Sequence, residues 1–172
     1  MEGKIEILIP EDDVKARIKE MAAVLSEKYK NGDVVLVGIL SGSVFFLTEL
    51  AKDMTIPVEI DFMAVSSYGS GTESSGRVLI KKDIERSITG KNVIVIEDIV
   101  DTGQTLHLIK KLLKEKRPRS LEVAVLLDKP ERRKVCMDAD YIGFSIPDEF
   151  VVGWGLDYDQ KFRDLPFIGV IK

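Results

Sequence analysis

The 172-residue sequence has one cysteine, Cys136, and one histidine, His107. A single thiol excludes a disulfide framework, and one Cys with one His excludes a zinc site built from those residue types alone. Excess positive charge is missing too. Lys and Arg number 25 against 29 Asp and Glu, a net charge of −4. A protein that grips a nucleic-acid backbone shows the opposite balance, so no nucleic-acid partner is expected. No apolar run approaches the roughly 18 consecutive residues of a membrane span, and no membrane partner is expected. The opening residues, MEGKIEILIPEDD, are acidic, with an apolar stretch too short for an export signal. The reduced cytoplasm is therefore the expected compartment. Internal repeats, low-complexity tracts and linkers are also absent.

What remains has globular proportions. Apolar residues make up 45% and charged residues 31%, near soluble averages. The length fits one domain, residues 1–172, able to bury a core without staples.

Pro10 to Lys30 carries Val14, Ile18, Met21, Ala22, Leu25 and Tyr29 at helical spacing. Asp12 or Asp13 is placed to cap it, and Asn31-Gly32 to stop it. Val34–Leu40 is a short apolar run and reads as a strand buried on both faces. A helix pattern, VFFLTELAKDM, follows the SGS turn. Pro57 opens a strand near Val58–Val65. Ser66 to Gly76 is small and polar and reads as a loop. Arg77–Lys81 alternates as an exposed strand does. Val93–Ile96 and Leu121–Leu127 read as buried strands, with a helix over Thr105–Lys116 between them. The last forty residues show short apolar pieces, Phe150–Val152 and Phe167–Ile171. Strands alternating with helices predict an α/β fold, a mostly parallel twisted sheet flanked by helices. A small C-terminal hood or flap, from about residue 140 to 172, is expected over one sheet edge. In such sheets ligands bind beyond the carboxyl ends of the strands.

Chemistry concentrates in VIVIEDIVDTGQT, Val93 to Thr105. A buried strand runs into Glu97 and Asp98, acceptors suited either to paired sugar hydroxyls or to a divalent cation. Asp101-Thr102-Gly103-Gln104-Thr105 then places backbone N–H groups and hydroxyls at a helix start, a natural phosphate site. Gly103 permits close backbone approach. No Walker loop is present. Helix capping accounts for one of these acids, two at most. It does not account for three carboxylates crowded after a buried strand, where like charges repel.

This stretch resembles the phosphoribosyl-pyrophosphate signature of the type I phosphoribosyltransferases. The resemblance runs from Val34 to Ile171 and is most specific to the hypoxanthine-guanine members. It rests on LSGS (Leu40–Ser43), SSYG (Ser66–Gly69), EDIVDTGQT, LLDKP (Leu126–Pro130) and PDEFVVGWGLDYDQKFRDLP (Pro147–Pro166). It implies purine salvage: phosphoribosyl pyrophosphate and hypoxanthine or guanine give IMP or GMP and pyrophosphate, with Mg²⁺. It further implies a homodimer or homotetramer.

Roles follow from the same resemblance. Glu97 and Asp98 would hold the ribose hydroxyls and their metal. Asp101 would handle the purine N7 proton. Thr102, Gly103, Gln104 and Thr105 would cradle the 5′-phosphate. Leu40, Ser41 and Gly42 would form the pyrophosphate loop, with the Leu40–Ser41 bond cis, and Arg163 would help hold pyrophosphate. Lys129 would donate to the purine O6, because an ammonium has donors only and cannot accept from a 6-amino group. Phe150 would stack on the base, and Val151 would meet its edge. Asp157 would border the base and bind the metal that carries pyrophosphate. Ser67 and Tyr68 would belong to a loop closing the site.

The chain departs from the family pattern at Ser41, where a basic residue is common, and at Gln104, where Lys sometimes stands. His107 reads as structural, Cys136 as an incidental thiol, and Trp154 as a packing residue or a neighbour of the base. Lys110, Lys111 and Lys114, and Arg132-Arg133-Lys134, read as solvated faces. Competing readings are a xanthine-preferring transferase and an RNA-binding regulator on the same fold. The charge balance argues against the regulator.

Overall fold

The computed structural model describes residues 4–67 and 78–172. Its elements in chain order are β1 (Ile5–Ile9), α1 (Glu11–Lys28), β2 (Val34–Ile39), α2 (Val44–Asp53), β3 (Glu59–Ser67), β4 (Val78–Lys82), β5 (Asn92–Val100), α3 (Gln104–Glu115), β6 (Ser120–Asp128), β7 (Tyr141–Ser145), β8 (Val151–Val152) and β9 (Ile168–Ile171). A 3₁₀ turn, Pro130–Arg132, follows β6.

The large sheet has the order β4-β3-β2-β5-β6-β7. Its five strands from β3 to β7 are parallel, and β4 runs antiparallel at the edge. The α/β arrangement expected from the strand–helix alternation is the one observed. Alternate residues of the central strands go to opposite faces, as a pleat requires. Leu36, Ile94, Ile96, Ala124 and Leu126 pack toward α1 and α2. Val35, Val37, Val93, Val95 and Val123 pack with Leu106, Ile109 and Leu113 of α3. Both sets are almost fully buried, which explains the unbroken apolar runs.

From β2 the chain steps to β3 on one side, while β5 leads to β6 and β7 on the other. The strand order reverses between β2 and β5, and a crevice opens beyond their carboxyl ends.

A three-stranded antiparallel sheet, β1-β9-β8, completes the fold. Of residues 140–172, β8 and β9 lie in this small sheet, β7 lies in the large one, and β1 comes from the other end of the chain. Neither β1 nor β7 was expected from the sequence.

Two local expectations need correction. Neither Asp12 nor Asp13 caps α1. Pro10 holds the N-cap position, and Glu11, Asp12 and Asp13 occupy the first turn, where their charge favours the helix dipole. The strand expected to end at Ile96 continues to Val100, because β6 extends to Asp128 and keeps the ladder paired. Glu97 and Asp98 therefore sit inside a strand rather than after one.

Candidate active site

The carboxyl end of β5 carries the acids. Glu97 and Asp98 are half-buried neighbours with locally closed hydrogen bonds. The Asp98 N–H donates to Glu97 Oε1 at 3.2 Å, and the Ile99 N–H donates to Asp98 Oδ1 at 2.8 Å. Burial, and then the adjacent Asp98 charge, push the Glu97 carboxyl well above its ordinary range. Burial also raises Asp98, against hydrogen bonds and the Arg163 charge that pull it down. Neither acid has a salt bridge among the described residues.

Past β5 the chain turns through Asp101 and Thr102 to Gly103, the N-cap of α3, whose φ of 80° lies in the left-handed region. A side chain there would be strained, and its Cβ would lie 3.0 Å from Arg133 Cδ. A cavity of about 220 Å³ opens at this helix start and touches Glu97, Asp98, Thr102, Gly103 and Thr105. Its orphan N–H groups and positive helix end suit a phosphate. Gln104 is the first residue of α3 and is exposed; its N–H lies 3.4 Å from Thr102 Oγ1.

A second cavity, of about 520 Å³, lies beside the first. Asp98 and Asp101 line both. The larger one also brings together Lys129, Phe150, Val151 and Asp157, four residues far apart in sequence. Lys129 is buried just beyond β6, and its N–H donates to Val100 O at 2.9 Å. Val151 is buried on β8, hydrogen-bonded into the small sheet. Phe150 is 53% exposed, with its ring edge-on to Tyr158 at 5.6 Å. An aromatic held open at a cavity wall is unlike a core phenylalanine and is available for stacking.

Arg132 and Asp148 also line this cavity, and the sequence reading missed both roles. Arg132 is exposed but ion-paired: its Nε donates to Asp101 Oδ1 at 2.7 Å, and one terminal nitrogen donates to Asp148 at 3.2 Å. Arg133 is not a solvated charge: it bonds the Asp101 carbonyl at 2.8 Å and the buried Asp128 carboxylate. The Lys134 N–H bonds Thr102 O at 2.9 Å. The segment after β6 thus braces the loop after β5. The partners lie about thirty residues back, which is why sequence proximity gave no signal.

Across the crevice, the Leu40–Ser41 peptide bond is cis. The Leu40 N–H donates to Met63 O at 2.8 Å. Gly42 sits between Asp98 and Gly155, with room for a Cβ on neither glycine. Arg163 donates to Gly155 O at 2.7 Å and pairs with Asp157 at 3.0 Å. Ser67 ends β3; Tyr68 lies outside the described residues. The carboxylates of Glu97, Asp98 and Asp157 do not converge on one point: among the described residues no group of three His, Cys, Asp or Glu forms a metal cage. Trp154 is buried and borders a separate cavity beside Phe45, so it packs rather than reads a ligand. Cys136 is free and exposed. No described helix is long and apolar enough to cross a membrane.

The chain is similar to known proteins over almost its whole length. The family described as "Phosphoribosyl transferase domain" matches residues 10–160. A hypoxanthine phosphoribosyltransferase of Escherichia coli is 47% identical over 173 residues, covering 99% of this chain and 97% of that protein. A hypoxanthine-guanine phosphoribosyltransferase of Staphylococcus epidermidis is 52% identical over 166 residues, covering 96% and 93%. The crystal structure of a hypoxanthine phosphoribosyltransferase from Staphylococcus aureus superposes with a TM-score of 0.94 at 50% identity, covering 97% of this chain and 91% of that one. With its cis loop, helix-start cradle and carboxylate-bearing β5, the chain belongs to the phosphoribosyl transferase family.

Proposed function

We propose that the protein transfers the 5-phosphoribosyl group of phosphoribosyl pyrophosphate to N9 of hypoxanthine or guanine. The products are IMP or GMP and pyrophosphate. The bond from C1 of the ribose to the pyrophosphate oxygen breaks, and the bond from C1 to N9 forms. The N7 proton of the incoming base goes to Asp101. One observation carries the reading: Asp101, Lys129 and the open face of Phe150 share one cavity, which meets a phosphate-sized cavity at Asp98.

Each group then has a task. The first turn of α3 and Thr102 hold the 5′-phosphate. Glu97 and Asp98 accept from the ribose hydroxyls. Lys129 donates to O6, and Phe150 covers one face of the ring. Arg163 steadies Asp157 and the Gly155 backbone beside the pyrophosphate loop.

Mg²⁺ fits this site. Glu97 and Asp98 are half-buried acids without a salt bridge among the described residues, and Mg²⁺ typically takes one or two carboxylates plus substrate oxygens. Glu97 and Asp98 would hold the ion at the ribose hydroxyls and Asp157 the ion that carries pyrophosphate, each completed by substrate oxygens, and the ions would neutralise the phosphate charge against these acids. A cytoplasmic setting belongs to the same proposal and rests on the free Cys136 thiol. Assembly as a homodimer or homotetramer rests on the resemblance alone and is read by light scattering.

A substrate panel tests the reading: hypoxanthine, guanine, xanthine, adenine and uracil, each with phosphoribosyl pyrophosphate and Mg²⁺, followed by pyrophosphate release. Turnover of hypoxanthine or guanine is expected, with none of adenine or uracil. Preference for xanthine would reassign the base. No turnover of any base would overturn the function.

A further inference from the structure

We propose that Arg132 is a positioning residue that couples the group handling the purine N7 proton to the group reading O6. The inference rests on the function proposed above and deepens it. Four side chains of alternating charge run along one wall of the larger cavity. Arg132 Nε donates to Asp101 Oδ1 at 2.7 Å. Its terminal nitrogen reaches Asp148 Oδ2 at 3.2 Å. The other oxygen of Asp148 lies 3.6 Å from Lys129 Nζ.

These residues come from separate places in the fold. Asp101 follows β5, Lys129 follows β6, and Asp148 follows β7. Arg132 ends the 3₁₀ turn between the last two. A guanidinium is a rigid planar fork, so one bridging two carboxylates fixes the distance and angle between their loops. Lysine cannot do this, because it is a point charge on a flexible stem.

The geometry also leaves the reacting atom open. Asp101 Oδ2 accepts no hydrogen bond among the described residues, while Oδ1 is held by Arg132. The carboxylate is oriented without being consumed. At the other end, Asp148 pairs from the side with the buried Lys129 ammonium. A base entering the cavity displaces water from this wall, and each charged contact then strengthens.

Stability does not explain the arrangement. Arg132, Asp101 and Asp148 keep almost half their side-chain surface exposed, and such pairs contribute little to folding. Their placement at the base matters instead, because small misplacements of reacting groups carry large rate penalties.

The test uses the full chain in steady-state kinetics with hypoxanthine, phosphoribosyl pyrophosphate and Mg²⁺. Wild type is compared with Arg132→Gln, Arg132→Lys, Asp148→Asn and the Arg132→Gln/Asp148→Asn double variant, and each melting temperature is recorded. Arg132→Gln is expected to lower kcat/KM for hypoxanthine on the order of 10²-fold. KM for phosphoribosyl pyrophosphate stays within about twofold, and the melting temperature holds. Asp148→Asn raises KM for the base roughly tenfold and spares kcat. The double variant is no worse than Arg132→Gln, because both break one chain. Arg132→Lys does not rescue.

Wild-type kinetics in Arg132→Gln would overturn the proposal. So would an equal rise in KM for both substrates, or multiplicative losses in the double variant. Failure of the wider reading looks different: wild type would then turn over no 6-oxopurine at all.

Discussion

Gly42 lies directly against the Asp98 carboxylate: a Cβ built on Gly42 would fall 1.8 Å from Asp98 Oδ2. The Cβ is fixed by the backbone, so the Asp98 carboxylate would have to rotate out of its place or the loop would have to move. The glycine therefore joins the loop after β2 to the acid on β5, across the point where the strand order reverses. A Cβ on Gly155 would meet Gly42 O at 2.0 Å, so the Gly42 backbone also packs closely against Gly155. Gly42→Ala is expected to displace Asp98 or the cis loop. kcat/KM for phosphoribosyl pyrophosphate should fall on the order of 10²-fold, with a smaller loss for the base. Unchanged kinetics in a folded Gly42→Ala protein would show that the contact has slack.

Asp101→Asn keeps the size of the side chain and its contact with Arg132, but removes the ability to take a proton. kcat is expected to fall by roughly 10²–10⁴-fold with little change in KM. Single-turnover rates at saturating substrates check this. A full rate would place the proton elsewhere.

Lys129→Ala deletes a buried ammonium that has Asp148 as its carboxylate partner. Losing a charged hydrogen bond to O6 should weaken base binding by roughly 10–100-fold. Binding of phosphoribosyl pyrophosphate should hold. Titration calorimetry with each ligand separates the two, and equal loss for both would mark Lys129 as structural.

Glu97 and Asp98 make a prediction about pH. Their carboxyls sit above the values of 4.5 and 3.8 that an unfolded chain shows, because burial disfavours the charged form. Above those values the folded chain binds more protons than the unfolded one. Stability of the cation-free protein therefore falls as pH rises from the ordinary carboxylate values through the raised ones. Glu97→Gln removes one such charge. It is expected to raise the melting temperature at about pH 8 and leave it nearly unchanged at about pH 4. Adding Mg²⁺ to wild type should stabilise more at the higher pH. A Glu97→Gln protein that melts lower than wild type at every pH would contradict the account.

Much of the site was legible because it is local. Val93–Ile96 is apolar without interruption, and three acids and a Thr-Gly turn follow within nine residues. That pattern needs no knowledge of the rest of the chain. Lys129, Phe150 and Asp157 were legible only through resemblance, since each alone reads as an ordinary surface or core residue. The exposure of Phe150 is set by tertiary structure and is invisible in the string. The ion pairs of Arg132 were not legible for the same reason: its carboxylates lie 31 and 16 residues away. β1 has one buried residue and pairs only with β9, at the far end of the sequence, so no local window reveals it. β7 is half-buried at a sheet edge, with a glycine at its centre, and carries little strand signal.

The small sheet joins both ends of the described chain to the wall of the larger cavity. Val151, on the cavity wall, pairs with Val170, which pairs in turn with Glu6. The Lys172 N–H closes onto Lys4 O at 3.1 Å. An affinity tag, a fusion partner or a trimmed end therefore pulls on the same three strands that carry Val151. Tailoring either terminus should register first as a change in purine affinity, with the large sheet and its helices still intact.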